Sequence, residues 1–127
     1  MGVANLVSIS EVYGQTVSGI ISDNTVATSF AHNISSGNET WVVKSLTVTN
    51  NSSNSTDNEF WCGFNNNPGF PPGAIYICRY VWVPFKTTFI AFDESVPIYL
   101  QYGDQIEIGL HQGTNLHYVF KYERLRE

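Results

Sequence analysis

From Trp41 to Thr49 ("WVVKSLTVT") apolar and polar positions alternate, the period of a β-strand with one face turned to water. Read at strict period two, Val42, Lys44, Leu46 and Val48 share one face, and Trp41, Val43, Ser45, Thr47 and Thr49 share the other. Similar short runs recur along the whole chain. They predict strands at Leu6–Tyr13, Thr16–Ile21, Thr25–Phe30, Trp41–Thr49, Glu59–Phe64, Ala74–Val83, Thr87–Phe92, Val96–Leu100, Gln105–Leu110 and Leu116–Tyr122. Gly, Pro, Asn and Asp punctuate them, as in "SDN" after Ile21 and "YGDQ" after Gln101. No window carries apolar residues at i, i+3, i+4 and i+7, so helix is not expected. Short strands at regular spacing, with no linker or internal repeat, predict a single-domain antiparallel β-sandwich, jelly-roll-like, over residues 1–127.

Two hairpins follow from the pattern. The first turns within "CGFNNNPGFPPGAIYIC"; with paired numbers summing to 140, Cys62 faces Cys78, Phe64 faces Tyr76 and Phe60 faces Tyr80. The second turns at Gly113–Asn115 and sets Gln112 opposite Leu116 and His111 opposite His117. The first hairpin is apolar on both faces. One face carries Phe60, Cys62, Phe64, Tyr76, Cys78, Tyr80 and Trp82; the other carries Trp61, Ile75, Ile77, Val81 and Val83. A sheet with a wet face alternates apolar with polar, so the second apolar face needs a cover. Loops of a thick sandwich, another subunit, and a ligand stacked on an aromatic platform all meet that need. The subunit reading makes Trp61, Ile75, Ile77 and Val81 interface candidates, with Asn66 and Phe70 in the adjoining loop.

Between Thr49 and Glu59 the chain runs "NNSSNSTDN", small and polar throughout. It reads as an exposed excursion between two strands, its tip free to meet a neighbour.

Composition sharpens the picture. Hydrophobic residues make up 43% of the chain and charged residues only 13%, about half the usual charged share. A surface built from Ser, Thr, Asn, Gln and Gly suits proteins that tile against copies of themselves. Six basic residues against eleven acidic leave a formal charge of −5 and no Lys/Arg cluster, so no nucleic-acid partner is expected. "MGVANLVSIS" lacks a basic segment followed by a long apolar run, and no stretch is long enough for a membrane helix. Synthesis in a cytoplasm without export is therefore expected, with the Asn sequons unmodified and Cys62 and Cys78 as buried thiols, though opposed strands would also let them bridge.

Candidate chemistry is sparse. His111, His117 and Glu107 would meet across the second hairpin and are the one metal-ligating trio that the pattern offers. Asp93, Glu94 and Asp104 fall at turns, where Asp caps backbone N–H groups. There is no nucleophile elbow, phosphate loop or HExxH motif. Neither an enzyme nor a bound cofactor or metal is expected.

The segments Asn5–Thr16 ("NLVSISEVYGQT"), Val83–Leu110 ("VPFKTTFIAFDESVPIYLQYGDQIEIGL") and Leu116–Leu125 ("LHYVFKYERL") resemble a family of short virion proteins of tailed phages, especially those of marine bacteria and cyanobacteria. Its members place a "VP-x-x-T-x-hydrophobic" strand and a "PIYL-x-x-GD-x-hydrophobic" turn late in the chain and close on a "YxxSYE"-like strand, here Tyr118–Glu123. The middle of the chain is not alike. The resemblance implies a small all-β structural subunit of the particle, a capsid decoration or cement protein or another surface subunit on neck or tail. It would form a homo-oligomer, a trimer among the options, and bind major capsid, neck or tail proteins. Such a subunit is made in the host cytoplasm and leaves by lysis. A host-glycan-binding module of a tail or fibre is the alternative.

Overall fold

The computed structural model describes residues 9–35, 38–53, 57–65 and 75–127. Among these residues there are nine strands and no helix: β1 (Glu11–Ile21), β2 (Thr28–Ala31), β3 (Glu39–Asn50), β4 (Asn58–Asn65), β5 (Ile75–Val83), β6 (Thr88–Phe92), β7 (Ile98–Leu100), β8 (Gln105–Gln112) and β9 (Leu116–Arg126). They form two antiparallel sheets. The first has the order β1-β9-β3-β6, with β7 also on β3; the second has the order β2-β8-β4-β5. β6 and β7 lie along the same edge of β3, as one strand interrupted at the Asp93–Pro97 turn. Counted that way, four strand positions face four. The chain alternates between layers from β1 to β4 and again from β7 to β9, the wrapping of a jelly roll.

The sandwich closes over an apolar core. Ile21, Trp41, Val43, Leu46, Val48, Phe92, Leu100, Leu116 and Phe120 enter it from the first sheet; Phe30, Phe60, Cys62, Val83, Ile106, Ile108 and Leu110 enter from the second. Phe30 and Phe120 stack across the layers, 4.0 Å between centroids and 4° between planes. Each such side chain removed from water stabilises the fold by roughly 1.5–3 kcal/mol.

Bulges re-sort several faces expected from strict alternation. In β3 the register against β9 slips between Val43 and Ser45, leaving Lys44 as the extra residue. The slip moves Trp41 and Val43 to the same inward side as Leu46 and Val48, and Lys44 turns out to pair with Glu123 at 3.3 Å. A single inserted residue inverts every side chain beyond it.

The β4–β5 hairpin keeps the expected rung Cys62↔Cys78. On either side of it the pairs differ: Phe60 faces Val81 and Phe64 faces Ile75, because β5 carries additional residues on both sides of Cys78. One of them, Tyr80, takes a positive φ of 56°, uncommon for so bulky a residue.

The second expected hairpin does not form. β8 belongs to the second sheet and β9 to the first, so Gly113–Asn115 is a corner between layers. Gly113 (φ 111°) and Asn115 (φ 53°) supply its left-handed geometry. A Cβ on Gly113 would collide with Asn58 Oδ1. "YGDQ" is likewise a corner, with Gly103 at φ 94°. Predicted strands Leu6–Tyr13 and Thr16–Ile21 correspond to the single strand β1, their portion before residue 9 lying outside the described residues.

The polar segment after β3 is more anchored than its composition suggests. Asn50, Ser52 and Asn58 are buried. Asn50 donates to the Val83 carbonyl (2.9 Å) and accepts from the Ser52 N–H (3.0 Å). Asn58 exchanges hydrogen bonds with the Thr114 backbone at 3.0 and 3.1 Å. These amides seal one end of the sandwich, where backbone groups leaving the sheets need partners. Residues 54–56, the expected tip, lie outside the described residues.

Candidate interaction surface

The two slips in β5 have a chemical consequence. They turn Val81 toward the side of Phe60, and Val83 into the core, while Trp61, Tyr76, Tyr80 and Trp82 come together on the outer face of the second sheet. Val81 and Val83 go in, and Tyr76, Tyr80 and Trp82 stay out.

On that face the rings form a connected strip. The Trp61 indole lies flat over Gly109 of β8, where a Cβ would stand only 2.6 Å from the ring. Tyr76 meets Trp61 edge-on at 6.1 Å. The Arg79 guanidinium sits between Tyr76 (4.8 Å) and Tyr80 (4.9 Å), a double cation–π contact. Tyr80 then stacks on His111 at 4.1 Å. His111 Nε2 is 3.9 Å from Glu59 Oε2, a buried oxygen that has no hydrogen-bond partner among the described residues. Trp82, 54% exposed, stands opposite Glu59.

The interface candidates therefore divide. Trp61 is half-buried on this outer face, and Ile75 and Ile77 are exposed on the edge strand. Val81, opposite Phe60, and Ile75, opposite Phe64, are turned away from Trp61, a correction imposed by the slipped register. Asn66 and Phe70 lie outside the described residues.

A second surface is the free edge of the first sheet. β1 pairs along all eleven residues with β9 and, among the described residues, has no neighbour on its other side. Nine of those residues are exposed; only Ile21 is buried and Gly19 half-buried. Val12 (55%) and Ile20 (57%) project on the outer face, Val17 (37%) and Tyr13 (40%) on the inner.

The metal-ligating trio is not assembled. His111 and His117 sit in different sheets, and His117 Nε2 lies 3.4 Å from the Asn51 amide. Among the described residues no group of three His, Cys, Asp or Glu is placed to hold a metal ion. Asp93 and Asp104 act as turn caps: Asp93 Oδ1 accepts from the Ser95 N–H (2.9 Å) and hydroxyl (2.5 Å), and Asp104 Oδ2 accepts from the Gln101 N–H (2.8 Å). The Ser95 hydrogen bonds hold the Asp93 carboxyl below its usual pKa.

Sequence reasoning missed a buried ionic cluster at the other end of the sandwich. The Glu39 side chain is fully buried and receives both forks of Arg124 at 2.9 Å and the Trp41 indole N–H at 2.6 Å. Burial by itself would raise the Glu39 pKa, but the hydrogen bonds from Arg124 and Trp41 more than offset it and hold the carboxyl below its ordinary value. Trp41 is stacked between His32 (4.6 Å) and Tyr122 (4.5 Å). His32 is buried too. Its Nδ1 accepts from the Ile34 N–H at 3.3 Å, which leaves Nε2 to carry the proton and donate to the Glu39 carbonyl at 2.9 Å. A lone Glu between polar residues carried no periodic signal; the partner is 85 residues away.

No protein-family model matches the chain, and no curated protein sequence matches it. Among solved structures it resembles the Drosophila NLP core, from work on pentamer formation and histone binding, at 13% identity over 88% of this chain and 95% of that one, with a TM-score of 0.50. It also aligns with a chain of the disulfide-linked pili that form Bacillus endospore appendages, at 9% identity over 91% and 88% of the two chains, with a TM-score of 0.47. At 13% identity the likeness to the NLP core is one of fold.

Proposed function

We propose that this chain is a structural subunit of a tailed-phage particle, a capsid decoration protein or another surface subunit, which self-associates and seats on other particle proteins. The observation that carries self-association is β1. An unpaired strand edge is a template for a further strand, and monomeric proteins blunt it with Lys, Pro or a covering loop. β1 ("EVYGQTVSGII") carries a single charge, Glu11, no Lys and no Pro, and exposes apolar side chains on both faces. The phage assignment is supported by the motifs around Val83–Leu110 and Tyr118–Glu123.

Sedimentation of the purified protein tests self-association. The wild type should run as an oligomer, and Val17→Lys, at an exposed position, should lower the sedimentation coefficient without unfolding the chain. A wild type that stays monomeric at all concentrations, or a variant with unchanged sedimentation, counts against the edge as the contact. Mass spectrometry of purified particles tests the class.

The outer face of the second sheet favours a second reading, a host-glycan-binding module of a tail or fibre. The exposed Trp82 ring suits stacking on a sugar ring, and Arg79, held against Tyr76 and Tyr80 on the same strand, suits its hydroxyls. Binding of the isolated protein to a glycan array, lost in Trp82→Ala, would support that module; an array without signal removes it.

A further inference from the structure

We propose that Cys62 and Cys78 form a disulfide-closing pair that, on meeting a small-molecule disulfide, ties the edge strand β5 covalently to β4. The two residues face each other directly across the antiparallel pair, the one rung between the two slips in register. Opposed residues on antiparallel strands have Cα atoms about 4.5–5.5 Å apart, inside the range of about 4.4–6.8 Å that a disulfide spans. Both cysteines are free thiols, Cys62 buried and Cys78 half-buried. Among the described residues β5 has only β4 as a ladder neighbour, and the slips on either side interrupt that ladder, so the strand carrying Tyr76, Arg79, Tyr80 and Trp82 is the part of the sheet with most to gain from a covalent rung.

The two sulfurs are not equivalent. Contact with the Cys78 sulfur, together with burial, pushes the Cys62 thiol up, and the same contact holds the Cys78 thiol below its usual value. Cys78, half-buried where Cys62 is fully buried, is the accessible and therefore the attacking sulfur. Its thiolate attacks one sulfur of oxidised glutathione, forming a Cys78–glutathione bond while the glutathione S–S bond breaks and the departing thiolate takes up a proton. With Cys78 no longer anionic, its charge no longer holds the proton on Cys62, and only burial still opposes its loss. The Cys62 sulfur gives it up, attacks the Cys78 sulfur and displaces the second glutathione, which leaves as a thiol. Two protein thiols are oxidised and one small disulfide is reduced to two thiols. Closure itself is independent of the particle assignment. Its timing rests on that reading: a subunit assembled among reduced thiols would lock once outside the cell.

The test is oxidation of the full-length protein with oxidised glutathione, read by intact mass, iodoacetamide labelling and a non-reducing peptide map. The wild type should lose the mass of two hydrogen atoms, retain no glutathione, stop reacting with iodoacetamide, and melt about 5–10 °C higher, reversibly with dithiothreitol. Cys62→Ala should trap one glutathione on Cys78, and Cys78→Ala should trap none. Persistent labelling of both thiols, a stable glutathione adduct on the wild type, or a bond between two chains would each overturn the proposal. None of these readouts depends on oligomeric state or on particle membership.

Discussion

Replacing Glu39 by Gln keeps the shape of the side chain and removes its charge. Glu39 now accepts three hydrogen bonds, two from Arg124 and one from the Trp41 indole. The amide has one oxygen to offer and turns an N–H₂ toward groups that can only donate. At least one of those donors loses its acceptor, and the Arg124 cation loses its counter-ion. Breaking a buried ion pair costs about 3–5 kcal/mol. Arg124 keeps 28% of its side chain in water, so the lower end applies, about 3 kcal/mol. A 127-residue chain unfolds with an entropy of about 0.27 kcal/mol/K, at about 2.1 cal/mol/K per residue. The melting temperature should therefore fall by about 11 °C at pH 7, followed by circular dichroism. The pH dependence supplies an internal control. The Glu39 pKa is depressed in the folded state below its ordinary 4.5. Its stabilisation is therefore complete above that ordinary value and is lost as pH falls through it toward the folded-state value. The gap between wild type and Glu39→Gln should be constant from neutral pH to about 5 and narrow below 4.5. A melting temperature within about 2 °C of wild type at pH 7, or a gap that does not change on acidification, would refute the account of Glu39 as a charge held by Arg124.

The packing of the aromatic strip on β8 can be checked at Gly109. An alanine there puts a methyl group 2.6 Å from the Trp61 ring, so Gly109→Ala should cost about 1–3 kcal/mol and red-shift tryptophan emission, and cost much less in a Trp61→Ala background. In the core, Phe120→Ala removes the ring stacked on Phe30; it should lower stability by about 3–5 kcal/mol in urea with an unchanged m-value.

The alternation of apolar and polar residues determined the class of fold. Ten expected strands against nine among the described residues, at closely similar positions, reflect a property local to each segment, since period two needs no knowledge of neighbours. Turn chemistry was legible for the same reason: Gly103, Gly113, Asp93 and Asp104 act where they stand. The Cys62↔Cys78 rung was legible because the segment folds back on itself as a hairpin. Which layer each strand joined was not legible. Gly113–Asn115 looks the same in sequence whether it closes a hairpin or turns a corner between sheets, and only the packing of Leu110 and Leu116 into one core from opposite layers selects the corner. The faces around Lys44 and Tyr80 were decided by bulges, and a bulge is chosen by the fit of a whole strand against its partner. The Glu39–Arg124 pair joins residues that no local window contains. The outward aromatic strip and the buried ionic end are thus products of tertiary register, because a shift of one residue reverses the direction of every side chain beyond it.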